Sequence, residues 1–248
     1  MKLTDLKSHY VKLLQMGGSG SGKTVGASTF PKPIYYFNFD PDGIRSLFTF
    51  YKDNKAVLDQ IEFDSYVDGD ADKPTAWKKF ERDKNELIRL SATPDKFPYR
   101  TVVIDSLTTM EDAMLNEIKV LVKSNRVQDI ANQQDYGILI QTIELLIPEL
   151  LSLPCHVVFN AHIQTVQDGI TQEIFRLPLV TGKKLPQKLP LWFGETYRAF
   201  AKKEGDKMKY VWQIRAGDRF DLKSRIIPSN VNGPIEQNFN EISKYLEY

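Results

Sequence analysis

Cysteine and histidine are scarce in this chain, which has one cysteine and three histidines among 248 residues. The lone Cys155 cannot form an intrachain disulfide, and so few soft ligands argue against a structural zinc site. Cys155 lies in an apolar run at residues 155–159. We expect it to be a small core residue in a protein kept under reducing conditions.

Long apolar runs are also lacking. No stretch approaches the roughly twenty residues of a membrane span, and the N-terminal residues do not form an apolar segment of signal-peptide type. We therefore expect a soluble, cytoplasmic protein that does not bind membranes.

A strong net charge is absent as well, because the formal net charge is only +1. This excludes a strongly basic nucleic-acid coat protein. The distribution is uneven, however: residues 183–225 carry twelve Lys and Arg against five Asp and Glu, a balance of +7, so the remainder carries −6. A basic C-terminal third favours an anionic partner, although solvated strand faces would give the same count.

The chain does contain a phosphate-binding pattern, G-x-x-x-x-G-K-[ST], that is matched at every fixed position. Its residues are Gly17, Gly18, Ser19, Gly20, Ser21, Gly22, Lys23 and Thr24. An apolar strand at residues 11–16 precedes it, and a helix can begin at Val25. We expect the loop to bind ATP, with Lys23 at the β- and γ-phosphates and the Thr24 hydroxyl on Mg²⁺. A flexible Gly/Ser linker would not explain the Lys-Thr pair behind an apolar strand.

Three further apolar strands end in polar residues, and in parallel sheets such ends meet at the ligand-binding edge. Residues 33–39 lead to Asp40, and residues 157–159 lead through Asn160 to His162. His162 is expected either to sense the γ-phosphate or to make only a structural hydrogen bond.

The third of these strands, residues 101–105, ends in Asp105 and is followed by Ser106. We expect it to lie next to the phosphate-loop strand, which would place Asp105 near the Mg²⁺ held by Thr24 and let Ser106 orient a water or phosphate. Many ordinary strands also end in Asp, so the assignment depends on the phosphate loop.

The remaining elements follow from periodicity. We expect helices at residues 44–54, 74–90, 107–123, 136–151 and 235–248. Short strands are expected at residues 61–63, 195–202, 209–215 and 221–227, with the second and third joined as a hairpin. The polar stretch at residues 164–191 is predicted to be a binding loop or mobile element.

The order of these signals resembles the RecA-like ATPase core, and most closely the small phage-encoded ATP-binding proteins of the Sak-type single-strand annealing and recombination group. The matching positions are residues 17–24, Asp40, residues 102–106, residues 134–137 before a helix, residues 160–162 and residues 223–225. The resemblance implies an α/β fold with a mainly parallel central sheet flanked by helices and an antiparallel β extension at the C-terminal side.

As one domain over residues 1–248, the chain would have its core at about 8–165, a DNA-binding loop and β extension at about 166–230, and a terminal helix at about 235–248.

The resemblance also implies catalytic roles. Asp40 matches the base that orients the attacking water, with Asp in place of the usual Glu, so slow hydrolysis is expected. Asp42 is the fallback, and helix capping is the alternative for both. Lys223 and Arg225, two apart on a predicted strand, would share a face and approach the γ-phosphate of a neighbouring subunit. Ordinary charges on an edge strand are the alternative.

Single-stranded DNA is the implied partner, gripped by the loops at residues 124–134 and 164–187. Phosphate contacts are expected from Lys183, Lys184 and Lys188, and base stacking from Trp192 or Phe193, unless these aromatics are core. The implied activity is Mg-ATP hydrolysis coupled to annealing or strand exchange in a homo-oligomeric ring or filament, with a single-strand-binding protein as a further partner. The rivals are a P-loop kinase of a small metabolite and an ATP-gated scaffold or helicase-loading protein.

Overall fold

The computed structural model describes residues 10–246, apart from residues 71, 123–129, 170 and 218. Its strands, in chain order, are β1 (Lys12–Met16), β2 (Ile34–Asn38), β3 (Ile61–Ser65), β4 (Thr101–Asp105), β5 (His156–Ala161), β6 (Ile163–Gln167), β7 (Ile174–Pro178), β8 (Glu195–Glu204), β9 (Lys207–Gln213) and β10 (Ile235–Glu236). Its helices are α1 (Lys23–Ser28), α2 (Arg45–Phe50), α3 (Lys55–Leu58), α4 (Ala76–Ser91), α5 (Leu107–Val122), α6 (Gln133–Leu151), α7 (Leu185–Trp192) and α8 (Asn240–Ser243).

One large sheet runs in the order β10-β9-β8-β1-β5-β4-β2-β3. From β8 to β3 every neighbouring pair is parallel, whereas β9 and β10 are antiparallel additions beyond β8. Strands β6 and β7 form a separate antiparallel hairpin. The predicted fold class is therefore confirmed: a mainly parallel sheet, flanking helices and a C-terminal antiparallel extension.

Strand β5 lies between the phosphate-loop strand β1 and the Asp105 strand β4, so the expectation that β1 and β4 are neighbours is wrong. The register sets four polar residues side by side on four neighbouring strands: Gln15 pairs with Asn160, Asn160 with Asp105, and Asp105 with Asn38. All four are buried. We call this set the polar row.

The central strands read as continuous apolar runs because both faces of the sheet are covered. On one face, residues such as Phe159 and Ile104 pack with α4, α5, α6 and α7. On the other face, residues such as Val158 and Val103 pack with α1, α2 and α8. Successive residues of one strand thus enter different cores, as the two-residue period of a strand requires.

Helix α6 begins earlier than its periodicity suggested because a capping box fixes its start. The Asn132 side chain accepts hydrogen bonds from the N–H groups of Gln134 and Asp135, and Asp135 accepts one from the N–H of Asn132. Residues 134–137 therefore lie in the first turns of the helix, not before it. None of the helices in the described ranges is both long and apolar enough to cross a bilayer.

The predicted binding loop at residues 164–191 is mostly regular structure, which corrects that prediction. It contains β6, β7 and α7. The strands were missed because each has only five residues within a stretch of polar composition, and α7 because Pro186 and Pro190 interrupt its pattern. The other predicted DNA loop, residues 124–134, lies largely outside the described residues.

Two C-terminal predictions are also wrong. Residues 221–227 form no regular strand and make only an isolated bridge between Lys223 and Thr196. In place of a helix over residues 235–248, Ile235 pairs with Trp212 as strand β10, and of the described residues 235–246 only α8 is α-helical. The buried residues Ile235, Phe239 and Ile242 have helical spacing, but pairing with β9 overrides it.

Phe239 fixes this terminal segment to the core, because its ring lies 4.7 Å from Phe30 and 5.0 Å from His156, centroid to centroid. We expect Phe239→Ala to lower the free energy of unfolding by about 3–5 kcal/mol, the usual cost of emptying a buried aromatic site. Urea denaturation measures this. Phe63→Ala, at a partly exposed ring on the far edge strand, is the control and should change it by no more than about 1 kcal/mol.

Candidate functional site

A cavity of about 1140 Å³ opens at the carboxyl ends of the parallel strands. It brings together most of the residues predicted for the nucleotide site: residues 19–24 of the phosphate loop, Asp40, Asp105 and His162. Ser106 lies directly behind Asp40. Lys223 and Arg225 do not line this cavity.

Close packing explains the first glycine of the phosphate loop. The N–H of Gly17 donates to the carbonyl of Ala161 at 3.1 Å, which ties the loop to the end of β5. A Cβ on Gly17 would lie 2.4 Å from Oγ of Ser21 and 2.5 Å from the carbonyl oxygen of Ala199. Further along, Gly20 and Gly22 have φ angles of 70° and 87°, a region that glycine adopts without strain.

Lys23 is buried at the start of α1, and its ammonium group donates to the carbonyl oxygens of Gly17 and Gly18 at 2.9 and 3.0 Å. Burial lowers the pKa of Lys23, while the charges of Asp105 and Asp40 oppose that shift. The N–H groups of the first helical turn have no intrahelical acceptor. A buried cation beside unpaired N–H groups is suited to binding phosphate oxygens.

Thr24 in the first turn of α1 meets Asp105 at the end of β4, although β1 and β4 are not neighbours: Oγ1 of Thr24 donates to Oδ2 of Asp105 at 2.7 Å. Burial raises the pKa of Asp105, and the hydrogen bond from Thr24 and the charge of Lys23 oppose this shift. Hydroxyl and carboxylate oxygens are the ligands that Mg²⁺ prefers. The donor set therefore fits Mg²⁺ held by Thr24 and Asp105.

Asp40 is held from behind by two hydroxyl groups. Oδ1 accepts a hydrogen bond from Thr109 Oγ1 at 2.6 Å and from Ser106 Oγ at 3.3 Å. Oδ2 accepts none from the residues that the structure describes, which leaves it open toward the cavity. Asp42 is exposed, lies off the cavity lining and only faces Arg45, so it is the weaker candidate for the base.

His162 lies at the end of β5 and connects the cavity to the segment after β7. The backbone N–H of His162 donates to Oγ1 of Thr108 at 3.0 Å, and its backbone carbonyl accepts from the N–H of Leu179 at 2.8 Å. Oγ1 of Thr108 in turn donates to the carbonyl of Leu179 at 2.9 Å. Burial lowers the pKa of His162, and the charge of Lys23 adds to that shift.

The sequence did not identify several residues that shape the site. Nε2 of Gln15 donates to the carbonyl of Lys23 and to Oδ1 of Asn160, and Oε1 accepts from Trp212. Nε2 of Gln237 donates to the carbonyls of Ser21 and Val211. A single polar residue within an apolar strand, such as Gln15, was the sequence signal that could have identified residues of this kind.

The hairpin β8–β9 also reaches the cavity, which the sequence did not indicate. Lys202 and Lys209 are directly opposite each other across the hairpin, and both line the cavity. Lys209 forms an ion pair with Glu204. Like charges placed opposite each other are unfavourable unless an anion lies near them.

Lys223 and Arg225 lie in a segment that is clamped although it is not a strand. The buried carboxylate of Glu195 accepts hydrogen bonds from the N–H of Arg225 at 2.8 Å and from the hydroxyl of Ser224. Arg225 is exposed. Burial lowers the pKa of Lys223, and the nearby charge of Arg225 lowers it further. Glu195 thus fixes a segment in which Arg225 is exposed and Lys223 is half-buried.

The predicted DNA-contacting residues divide into two groups. Lys183 and Lys184 are exposed just before α7, whereas Lys188 forms an ion pair with Glu144 at 2.8 Å. Trp192 is half-buried with the Lys188 ammonium over its ring, and Phe193 is fully buried in the core. The stacking role offered for Phe193 is therefore wrong, because its ring packs against Phe159.

Comparison with known proteins gives a family match over most of the chain. A family model described as an AAA domain matches residues 9–226. No curated protein matches the chain. Among solved structures, the crystal structure of a KaiC-like protein from the hyperthermophilic archaeon Pyrococcus horikoshii OT3 is 12% identical, with 91% of this chain and 88% of that chain covered and a TM-score of 0.42.

Glu111 on α5 is buried and accepts hydrogen bonds from the N–H and hydroxyl of Thr181 at 2.8 and 2.9 Å, which join α5 to the segment after β7. Burial raises the pKa of Glu111 from 4.5 to about 7. Folding thus favours the protonated acid, and the stability present below pH 4.5 is lost as the pH rises through 7.

We expect the variant Glu111→Gln not to lose stability in this way as the pH rises, because its side chain cannot ionise. Its stability relative to the wild type should increase between pH 4.5 and pH 7, by at most about 3 kcal/mol, and then stay level. Urea denaturation at a series of pH values measures the difference. A difference that is constant or shrinks as the pH rises would contradict the assignment.

Proposed function

The chain belongs to the AAA-domain family of P-loop ATPases, and from this premise we propose that it hydrolyses Mg-ATP and couples hydrolysis to binding of single-stranded DNA. The coupled activity would be strand annealing or exchange, as in the phage-encoded group that the sequence resembles. The working form would be a homo-oligomeric ring or filament, with a single-strand-binding protein as a further partner.

The residues of the cavity have separate roles in this proposal. Lys23 and the N–H groups at the start of α1 would hold the phosphates, and Thr24 with Asp105 would hold Mg²⁺. Magnesium, when bound, neutralises charge that develops on the phosphates. Asp40 would accept a hydrogen bond from the attacking water through Oδ2, since Thr109 and Ser106 already occupy Oδ1.

One turn of α5 carries the proposed coupling to DNA. On this turn Thr109 donates to Asp40, while the neighbouring Thr108 contacts both His162 and Leu179. The segment that begins at Leu179 continues to the exposed Lys183 and Lys184. Binding of a DNA phosphate backbone at these lysines would therefore act, through Leu179 and Thr108, on the same helical turn that positions the candidate base.

The rivals differ in what they require. A small-metabolite kinase commonly closes a helical lid rich in arginine over its substrate, whereas here the wall beyond the phosphate loop is the hairpin β8–β9. An ATP-gated scaffold would use the same phosphate loop without turnover. The resemblance expects Glu where this chain has Asp40. Because the shorter side chain would hold the attacking water less well, the scaffold remains an alternative to be tested.

We expect single-stranded DNA to stimulate ATP turnover by the wild type. Asp40→Asn should retain ATP binding and lose turnover by roughly 10²–10⁴-fold, the usual contribution of a general base. Turnover assays with and without oligonucleotide, together with ATP-dependent retention of the oligonucleotide, measure both effects. A protein that binds ATP, shows no turnover and gains nothing from DNA would be a scaffold and would refute the coupled ATPase.

The DNA surface has a matched control. Replacing Lys183 and Lys184 together by Ala should remove the stimulation, whereas replacing Lys203 and Lys207, which lie off the cavity lining on the tip of β8–β9, should leave it in place. Equal losses in both double variants would indicate general electrostatic attraction and not a site at α7.

Arg225 gives a test of assembly, because it does not line its own cavity. We expect Arg225→Ala to lower turnover by about 10³-fold, as removal of an arginine supplied by a neighbour does. Lys23→Ala should be inactive alone. In an equal mixture of the two variants, about a quarter of the interfaces would pair an intact loop with an intact arginine and regain turnover. A mixture as inactive as its parts would show that Arg225 does not act between subunits.

A further inference from the structure

The cavity is larger than a phosphate site needs, and its outer wall is built from β9 and the C-terminal segment. Residues 208–211 of β9 and residues 236–238 line it beside the phosphate loop. A triphosphate bound at residues 19–24 occupies only the inner end. The ribose and base attached to it would occupy the remaining cavity, whose lining includes this outer wall and, at the α2 end, Phe50.

Tyr210 is the aromatic side chain on that wall, and it is 45% exposed. Along β9 it lies on the same face as Trp212, which is fully buried against α1 and its neighbours. The buried face of β9 therefore continues into the cavity, where part of the Tyr210 ring remains exposed. Met208, 53% exposed, is the next residue on this face.

The position of the ring is fixed relative to the phosphate loop. A Cβ on Gly22 would lie 2.7 Å from Cδ1 of Tyr210, so the ring packs directly on this glycine. Nε2 of Gln237 donates to the carbonyls of Ser21 and Val211 at 2.9 and 3.0 Å, which joins the loop to β9. Backbone pairing of Ala201 with Tyr210 sets the register of the strand.

From these contacts we propose that Tyr210, with Met208 beside it, is the surface on which the base of the bound nucleoside triphosphate stacks. A flat ring at a fixed distance from the phosphate loop distinguishes a ligand with an aromatic base from a bare polyphosphate. The proposal rests on the proposed function, because it takes the phosphate loop to hold the triphosphate. Tyr210 is then a binding residue for substrate recognition.

The test compares ATP with inorganic tripolyphosphate, both as Mg²⁺ complexes, by calorimetric titration. Tyr210→Ala should bind ATP roughly tenfold more weakly, as loss of a stacking ring does. It should bind tripolyphosphate as the wild type does. Tyr210→Phe keeps the ring and should retain ATP affinity. If the Ala variant does not fold, Tyr210→Leu preserves apolar contact with Gly22 and should show the same selective loss.

Two controls distinguish this inference from its alternatives. Phe63→Ala, at the far edge strand, should change neither affinity. Phe50 also lines the cavity and is 58% exposed. Weaker ATP binding in Phe50→Ala with no change in Tyr210→Ala would place the base at the α2 end and overturn the proposal.

The outcomes also separate this inference from the proposed function. A wild type that binds neither ATP nor tripolyphosphate would overturn the nucleotide site itself. A wild type that binds both, with Tyr210→Ala binding ATP equally well or losing both ligands in parallel, would overturn only the stacking role.

Discussion

The polar row consists of side chains that lie side by side on four neighbouring parallel strands: Gln15, Asn160, Asp105 and Asn38. This register positions the functional residues at the carboxyl edge of the sheet. The side-chain amide of Gln15 donates hydrogen bonds to the carbonyl oxygen of Lys23 and to Oδ1 of Asn160. The side-chain amide of Asn38 donates to the carbonyl oxygen of Asp40. Buried polar groups are costly unless they are bonded. Asn160 bonds Gln15 and the carboxyl of Asp105, whereas Oδ1 of Asn38 lacks a partner among the described residues. A row of such residues next to Asp105 is consistent with ligand and water binding at this edge.

Local patterns predicted much of this arrangement from the sequence. The phosphate loop, the strand ends at Asp40 and Asp105, and the hairpin of β8 and β9 were all recognisable, since each depends on residues that are near in sequence. The strand order was not, because β5 joins β1 to β4 through contacts more than fifty residues apart in sequence. Thr109 was missed for the same reason: its role depends on reaching Asp40 from a different strand end.

The segment with Lys223 and Arg225 is fixed in position although the strand predicted there is absent. A strand would have placed both side chains on one face, but the segment is instead held by buried hydrogen bonds to Glu195 and by the Arg215 guanidinium, which donates to the carbonyls of Ser224 and Ile227. Bonds of this kind involve charged groups and are stronger than neutral ones. The exposed Arg225 is thus presented on a rigid support, as a contact to another molecule requires.

The charges of the cavity constrain what can occupy it. Burial lowers the pKa of Lys23 and raises that of Asp105, so each group is held in an environment that disfavours its own charge. An anion at Lys23 and a cation at Asp105 would both reverse these shifts. Free phosphate would supply only the anion at Lys23, and a metal ion alone would supply only the cation at Asp105. A magnesium complex of a nucleoside triphosphate would supply both within one ligand, and its base would lie against the wall formed by Tyr210 if the proposed stacking holds. The electrostatics of the inner site and the shape of the outer wall therefore favour the same class of ligand.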